Sequence, residues 1–312
     1  MVVKRETKKM TEGVLPRWFL LAFAATLLAS SPAFALDLGG IGSGAMKLWE
    51  KKDAIIKTTK ALRKGFADLT IEEEYYIGRA VAARILSEYK PVDDPKRIKY
   101  INTLGQTLAL YSSTPETFAG YHFLLIESDQ VNAFAAPGGF IFITTGLYSN
   151  VKSEEQLAAV LAHEISHVTL KHGLSAIKSS RLTEAFTILG TEVAKEYSPT
   201  EVAQLTEAFD GTINDIVNKM VVSGYSRSQE FDADEEALRV LYRAGYDPAG
   251  LPRFLENLAA HKKKNAGVGF YKTHPPAEDR LKKAEKIIKE ESLNGKEDPA
   301  RTARFKKYAY RR

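Results

Sequence analysis

The apolar residues between positions 153 and 173 recur at the spacing of one face of an α-helix. They are Leu157, Val160, Leu161, Ile165, Val168 and Leu170. Ser153, with Gln156 three residues later, is typical of an N-cap and capping box, and Gly173 suits the position just after a helix C-terminus. The pattern therefore predicts one helix of about five turns.

Shorter apolar runs before this helix predict a small sheet. Residues 124–127 and 133–135 have the composition of strands, and Pro137-Gly138-Gly139 suits a tight turn into a third strand over residues 140–144. Helical patterns follow over residues 226–245 and 277–291. We therefore expect an α+β fold that is mainly helical, with a small sheet beside the helix of residues 153–173.

The apolar pattern of residues 182–222 predicts two helices divided near Ser198 and Pro199. Their apolar faces fit a protein core. The alternative is a lid, or a membrane-touching surface, over a cleft.

The start of the chain is typical of an export signal. Five basic residues precede the apolar run of residues 18–29, and a small-residue segment with an Ala-x-Ala ending leads to Ala35. The apolar run is shorter than the roughly 20 residues of a membrane-spanning helix. The chain contains no cysteine. We expect a signal peptide over residues 1–35, cleavage after Ala35, and a periplasmic protein. The alternative is that the segment stays uncleaved as an anchor.

Charge is concentrated at the end of the chain. Residues 261–312 hold sixteen basic and seven acidic residues, whereas the whole chain carries a net charge of +5. A basic tail over residues 292–312 would attract an anionic membrane surface or acidic partners. We favour the alternative, a solvated helix over residues 277–291 followed by a disordered end. The sequence has no nucleic-acid-binding module.

The motif His163-Glu164-Ile165-Ser166-His167 lies inside the predicted helix. Because a helix turns about 100° per residue, its two histidines lie about 40° apart and can share one metal ion. Glu164 lies beside that position, where a general base belongs. The spacing is typical of a zinc hydrolase. The alternative is two helix histidines that flank a solvated glutamate.

Two histidines leave a catalytic zinc site one protein ligand short. His172 is a poor candidate, because it would lie about 140° from His167 on a continuous helix. Glu230 and Asp234 share a face of the later helix, so Glu230 is a candidate ligand and Asp234 a candidate support for a ligand histidine. Asp232 is expected to be solvated. Acidic residues at a helix start also complement the helix dipole, which is the alternative explanation.

Four sequence blocks together are far more specific than the histidine motif. They are residues 131–140, the block from His163 to His167, the block from Glu230 to Asp234, and Thr273-His274-Pro275-Pro276 followed by Arg280. The blocks occur in the same order as in the HtpX and CAAX-prenyl-protease family of gluzincin metallopeptidases, peptidase family M48, which the chain resembles. Within it, the chain is most similar to the soluble periplasmic branch of the BepA and LoiP type.

The resemblance implies a zincin-like fold and one Zn²⁺ per chain. It implies that His163, His167 and Glu230 bind the metal and that Glu164 is the catalytic base. His274 and Arg280 match residues that approach the metal, with His274 either stabilising an oxyanion or acting as a lid. Asp234 matches the acidic residue that closes the Glu230 block. The resemblance also makes Asn132 and Ala133 candidates for an edge strand that holds an extended substrate, although they would equally suit a hairpin packed on the helix.

These observations give an expected organisation and function. We expect a signal peptide (1–35), an N-terminal helical extension (36–69), a zinc metallopeptidase domain (70–291) and the basic tail (292–312). The resemblance implies an endopeptidase that hydrolyses misfolded or misassembled envelope and outer-membrane proteins. It also adds outer-membrane assembly machinery to the expected partners of the basic tail. The alternative is a chaperone-like outer-membrane assembly factor whose zinc site is largely latent and gated by His274.

Overall fold

The computed structural model describes residues 71–176, 210–265, 269–274, 277–296 and 298–309. The expected signal peptide, the N-terminal extension and residues 182–209 lie outside these ranges. The helices are α1 (Ile71–Leu86), α2 (Pro95–Ala109), α3 (Thr145–Asn150), α4 (Glu154–Thr169), α5 (Arg227–Arg243), α6 (Gly250–Asn265), α7 (Phe270–Thr273), α8 (Ala277–Glu290) and α9 (Pro299–Tyr308). Within the described ranges, no helix has both the length and the apolar character needed to span a bilayer.

Three strands form the expected small sheet, which confirms the α+β fold class. They are β1 (His122–Ile126), β2 (Ala133–Ala136) and β3 (Phe140–Thr144), in the order β1-β3-β2. β1 is parallel to β3, and β2 is antiparallel to it, with Ala133 opposite Ile143. β2 is therefore an edge strand, and its position next to α4 places that edge beside the motif helix.

The turn between β2 and β3 depends on a glycine. Gly138 has a φ of 72°, in the left-handed region that favours glycine. A Cβ at this position would lie 2.7 Å from the Cα of Tyr75 on α1. The glycine thus allows α1 to pack directly on the turn and cover one face of the sheet.

Helix α4 passes through the centre of the protein. Each of its residues from Glu154 to Val168 is buried. On one side of the sheet, α4 packs with α2, α5 and α6 around the larger hydrophobic core. On the other side, α1 and residues 210–223 form a smaller core. The apolar run from Leu157 to Ala162 fits this enclosure, and burial keeps the histidine motif away from bulk water.

The two ends of α4 differ in detail from the sequence expectation. Ser153 caps the helix by accepting from the Gln156 N–H, but the Gln156 side chain accepts from the Lys152 N–H instead of closing a reciprocal box with Ser153. The helix ends at Thr169, before Gly173. Lys171, with a φ of 55°, occupies the left-handed position that had been expected for the glycine.

Part of the 182–222 segment contributes to the smaller core. Residues 210–217 are helical and continue into a π-helical segment, Asn218–Ser223. Ile213, Ile216 and Met220 are buried against Phe134 and other residues of the sheet. For these residues, the core interpretation is the correct one.

The expectation of a disordered end after residue 291 is wrong for the residues that form α9. Arg304 of α9 pairs with the fully buried carboxylate of Glu154 at the start of α4, which also accepts from the Tyr100 and Tyr246 hydroxyls. Phe305 is buried, and the carbonyl of Tyr308 accepts from the Tyr148 hydroxyl. The helix is ordered because it covers apolar surface and pairs a buried charge that would otherwise be costly.

Candidate metal centre

The two motif histidines converge at the middle of α4. Their Nε2 atoms are 3.0 Å apart, and their ring planes are nearly perpendicular, at 87°. His163 and His167 are each only 1% exposed. The predicted four-residue spacing therefore brings two imidazole nitrogens to one buried point.

Glu230 reaches the same point from α5. Its Oε2 is 3.5 Å from Nε2 of His163, and its Oε1 is 3.4 Å from Nε2 of His167. A capping box between Ser226 and Gln229 starts α5, so Glu230 lies in the first turn. Ala233, which is fully buried, leaves room for α5 to lie close against α4.

His274 brings a fourth side chain into this cluster. Its Nε2 is 3.8 Å from Oε1 of Glu230 and 3.8 Å from Oε1 of Glu164. One ligand atom from each of His163, His167, Glu230 and His274 lies within 4.8 Å of the others. His274 thus brings a ligand atom to the metal position from a third segment of the chain.

Several buried atoms of this cluster fit a metal ion. Both carboxylate oxygens of Glu164, Oε1 of Glu230 and Nε2 of His274 make no hydrogen bond within the part of the chain that the structure describes. Buried polar atoms without partners are costly, and a bound cation would satisfy the ligand atoms. Imidazole nitrogens combined with one carboxylate suit zinc.

Asp234 and Arg280 lie behind the metal-facing side chains. Oδ1 of Asp234 is 3.0 Å from Nδ1 of His163. Arg280 donates two hydrogen bonds of 2.7 Å to Asp234, and its guanidinium is also 2.8 Å from Oε2 of Glu230. Arg280 is 2% exposed. It therefore pairs with two buried carboxylates of the site at once.

The two motif histidines differ in their preferred charge. Burial and Arg280 oppose a positive charge on His163, but its hydrogen bonds to Asp234 and Glu230 outweigh them and raise its pKa to about 9. Burial lowers the pKa of His167 to about 4, although Glu230 opposes this shift. Burial would also raise the pKa of Asp234, but Arg280 and His163 hold it below its usual value.

Glu164 has the environment of a general base. It is completely buried, and burial raises its pKa to about 7, with the charge of His163 opposing the shift and that of Glu230 adding to it. A base with a pKa near the working pH transfers protons efficiently.

Two residues that the sequence did not place at the metal position, His172 and Tyr225, lie beside His167. Nδ1 of His172 lies 2.8 Å from Nδ1 of His167, and the Tyr225 ring stacks on the His167 ring at 4.0 Å and 17°. His172 is 7% exposed. A continuous helix would place His172 about 140° from His167, but α4 ends at Thr169.

Asn132 and Ala133 lie where the predicted edge strand begins, but both are buried. The side-chain oxygen of Asn132 accepts from the Ala133 N–H and from the Thr273 hydroxyl, so it faces the protein interior. The Thr273 hydroxyl is also 2.9 Å from Nδ1 of His274. Asn132 therefore contacts the segment that carries His274.

Residues 269–274, here termed the His274 loop, are held from two sides. The Phe270 N–H donates to the carbonyl of Val131 at 2.7 Å, and the Tyr225 N–H donates to the carbonyl of Thr273 at 3.1 Å. The Phe270 ring stacks on the His274 ring, with centroids 3.7 Å apart. The loop spans the start of β2 and the start of α5, across the metal position.

The fold and this cluster define a gluzincin-type metallopeptidase, in which two histidines of one helix and a glutamate of a second helix form the metal site. Residues 95–288 match the sequence profile of Peptidase family M48. The chain belongs to this family, as its sequence blocks had indicated, and zinc is the family's metal.

Three relatives show how far the similarity extends. The Beta-barrel assembly-enhancing protease of Escherichia coli (strain K12) is 32% identical over 218 residues, which are 68% of this chain and 43% of the relative. Metalloprotease LoiP of Escherichia coli (strain K12) is 27% identical over 82% of this chain and 93% of its own length. Mitochondrial metalloendopeptidase OMA1 of Schizosaccharomyces pombe is 25% identical over 73% of this chain and 65% of its own length. The chain thus spans less than half the length of the assembly-enhancing proteases that it matches.

Proposed function

We propose that this chain is a zinc-dependent endopeptidase that acts in the periplasm on misfolded or misassembled outer-membrane proteins. The observation that carries the proposal is the fully buried Glu164, whose pKa is raised to about 7, beside the converging side chains of His163, His167 and Glu230. The export signal expected over residues 1–35 supports the location. The name of the Escherichia coli assembly-enhancing protease supports the substrate class.

The proposed reaction divides the work among a few residues. His163, His167 and Glu230 would hold zinc, and the bound ion would supply a positive charge that polarises a peptide carbonyl and lowers the pKa of water at the site. Glu164 takes a proton from the attacking water and returns it to the leaving amine. Asp234 and Arg280 keep His163 and Glu230 in position throughout.

Substitutions at the cluster test the proposal. In purified protein, Glu164→Gln should retain zinc at the wild-type level but lose casein cleavage by at least about 100-fold, the range of general-base catalysis. His163→Ala should lose both zinc and cleavage. Asp232→Asn, at an exposed neighbour of the cluster, is the matched control and should change neither property. Full cleavage by the Glu164→Gln protein would remove the assignment.

A second candidate function is favoured by the position of His274. Its Nε2 lies among the metal-facing atoms, and backbone hydrogen bonds to Val131 and Tyr225 hold its loop across the site. We propose as the alternative a chaperone-like assembly factor in which His274 keeps proteolysis largely latent. In a strain that lacks the gene, rescue of outer-membrane assembly by Glu164→Gln would favour the chaperone function, and failure of rescue would favour the peptidase.

A further inference from the structure

We propose that His172 is a positioning residue for the metal centre: its Nδ1 accepts a hydrogen bond from Nδ1–H of His167 and thereby turns Nε2 of His167 toward the metal. This inference rests on the zinc site of the proposed function. The carrying observation is the 2.8 Å distance between the two Nδ1 atoms, both in buried side chains.

The direction of this hydrogen bond follows from the position of the other ring nitrogen. Nε2 of His167 lies 3.0 Å from Nε2 of His163 and 3.4 Å from Oε1 of Glu230, so it is the atom that faces the metal. A metal-binding imidazole nitrogen carries no proton, so the proton of neutral His167 is on Nδ1. At 2.8 Å one of the two Nδ1 atoms must donate, and His172 is therefore the acceptor.

The end of α4 explains how a residue five positions after His167 reaches it. The Lys171 N–H donates to the carbonyl of Val168, and the His172 N–H donates to the carbonyl of His167, each at 3.0 Å. This pair of bonds, with Lys171 in the left-handed conformation, is a Schellman motif. The motif folds the chain back on the helix and brings the His172 ring next to the His167 ring. On a continuous helix the two side chains would point about 140° apart around the helix axis.

The two metal-facing histidines consequently have different supports. His163 has the carboxylate of Asp234, which is balanced by Arg280, whereas His167 has a neutral imidazole. A neutral acceptor fixes the ring and its tautomer without adding negative charge to a site that already contains Glu164, Glu230 and Asp234.

Two substitutions at position 172 separate hydrogen bonding from packing. His172→Phe keeps a ring against Tyr225 but removes the acceptor, whereas His172→Asn keeps an acceptor oxygen near the former Nδ1 position. In competition with a chromogenic chelator, His172→Phe should bind Zn²⁺ about 10- to 100-fold more weakly than wild type. His172→Asn should recover most of this loss. Equal affinity in wild type and His172→Phe would overturn the inference.

Nitrogen-15 NMR of the histidine side chains provides a readout that a purely structural role would not move. In the Zn²⁺-loaded wild-type protein, His172 should carry its proton on Nε2 and His167 should carry its proton on Nδ1. A proton on Nδ1 of His172 would contradict the proposed direction of the hydrogen bond.

Position 171 offers an independent test that leaves both histidines unchanged. Lys171→Gly and Lys171→Val both remove the ion pair with Glu74, but only valine strains the left-handed backbone at a φ of 55°. Lys171→Gly should retain Zn²⁺ affinity, and Lys171→Val should lower it. Equal affinity in the two variants would count against the role of the Schellman motif.

Zinc binding by the wild type separates failure of the role of His172 from failure of the proposed zinc site. Stoichiometric Zn²⁺ in wild type, with no loss in His172→Phe, would overturn the role of His172 alone. A wild-type protein that binds no Zn²⁺ would overturn both.

Discussion

Asp234 lies 3.0 Å from Nδ1 of His163, on the far side of the imidazole from the metal position. The contact links the first helix of the site to the second, because His163 belongs to α4 and Asp234 to α5. It fixes the orientation of a ring whose other nitrogen must point to the metal. Arg280 stabilises this arrangement because it neutralises the carboxylate of Asp234, which is only 2% exposed.

Removing Arg280 should therefore damage both folding and metal binding. Arg280→Met leaves the buried carboxylates of Asp234 and Glu230 without their cation and should lower the free energy of unfolding by about 3–5 kcal/mol. Arg280→Lys keeps the charge but loses the two-bond geometry, so its loss should be smaller. Denaturant unfolding of the zinc-free proteins measures the effect. Equal stability of all three proteins would show that Arg280 does not balance these carboxylates.

The pH dependence of cleavage should report the burial of Glu164. Because the pKa of Glu164 is raised to about 7, the carboxylate that accepts a proton is lost as the pH falls through that value. We expect kcat/KM to rise with pH up to about 7, as measured with zinc content verified at each pH. An acid limb near the ordinary glutamate pKa of about 4.3 would show that the pKa of Glu164 is not raised in the zinc-loaded protein.

The hydroxyl of Thr273 should influence His274. It lies 2.9 Å from Nδ1 of His274 and also bonds to Asn132, so Thr273→Val should free the imidazole to turn away from the metal position. We expect faster casein cleavage in Thr273→Val, whereas Thr273→Ser, which keeps the hydroxyl, should resemble wild type. Slower cleavage with unchanged zinc content would instead indicate that His274 stabilises the oxyanion.

Helix α9 should stabilise the domain through Arg304. Arg304→Ala removes the cation that faces the buried Glu154, although the Tyr100 and Tyr246 hydroxyls remain bonded to it. Since the Arg304 side chain is 45% exposed, the expected loss is modest, about 1–3 kcal/mol in the free energy of unfolding. Lys306→Ala, at an exposed position of the same helix, is the control and should have little effect. Equal losses in both variants would contradict a specific role for the Glu154 pair.

The sequence by itself determined the elements whose pattern is local. Helical periodicity places His163 and His167 on one face, and the same rule places Glu230 and Asp234 together on α5, because both depend only on the turn per residue. The three strands and the helix that begins at Ala277 also followed from short-range patterns. Capping at Ser153 was likewise visible, since the cap and its partner are three residues apart.

Only the tertiary structure decided several contacts between residues that no local pattern relates. The contact of His172 with His167 depends on a left-handed lysine at the end of α4, a conformation that lysine rarely adopts and that no sequence pattern here indicates. Arg280 and Arg304 each pair with a carboxylate far away in the chain, at Asp234 and Glu154. Such pairs arise from how helices pack, because a buried charge takes whichever opposite charge the assembled fold brings to it.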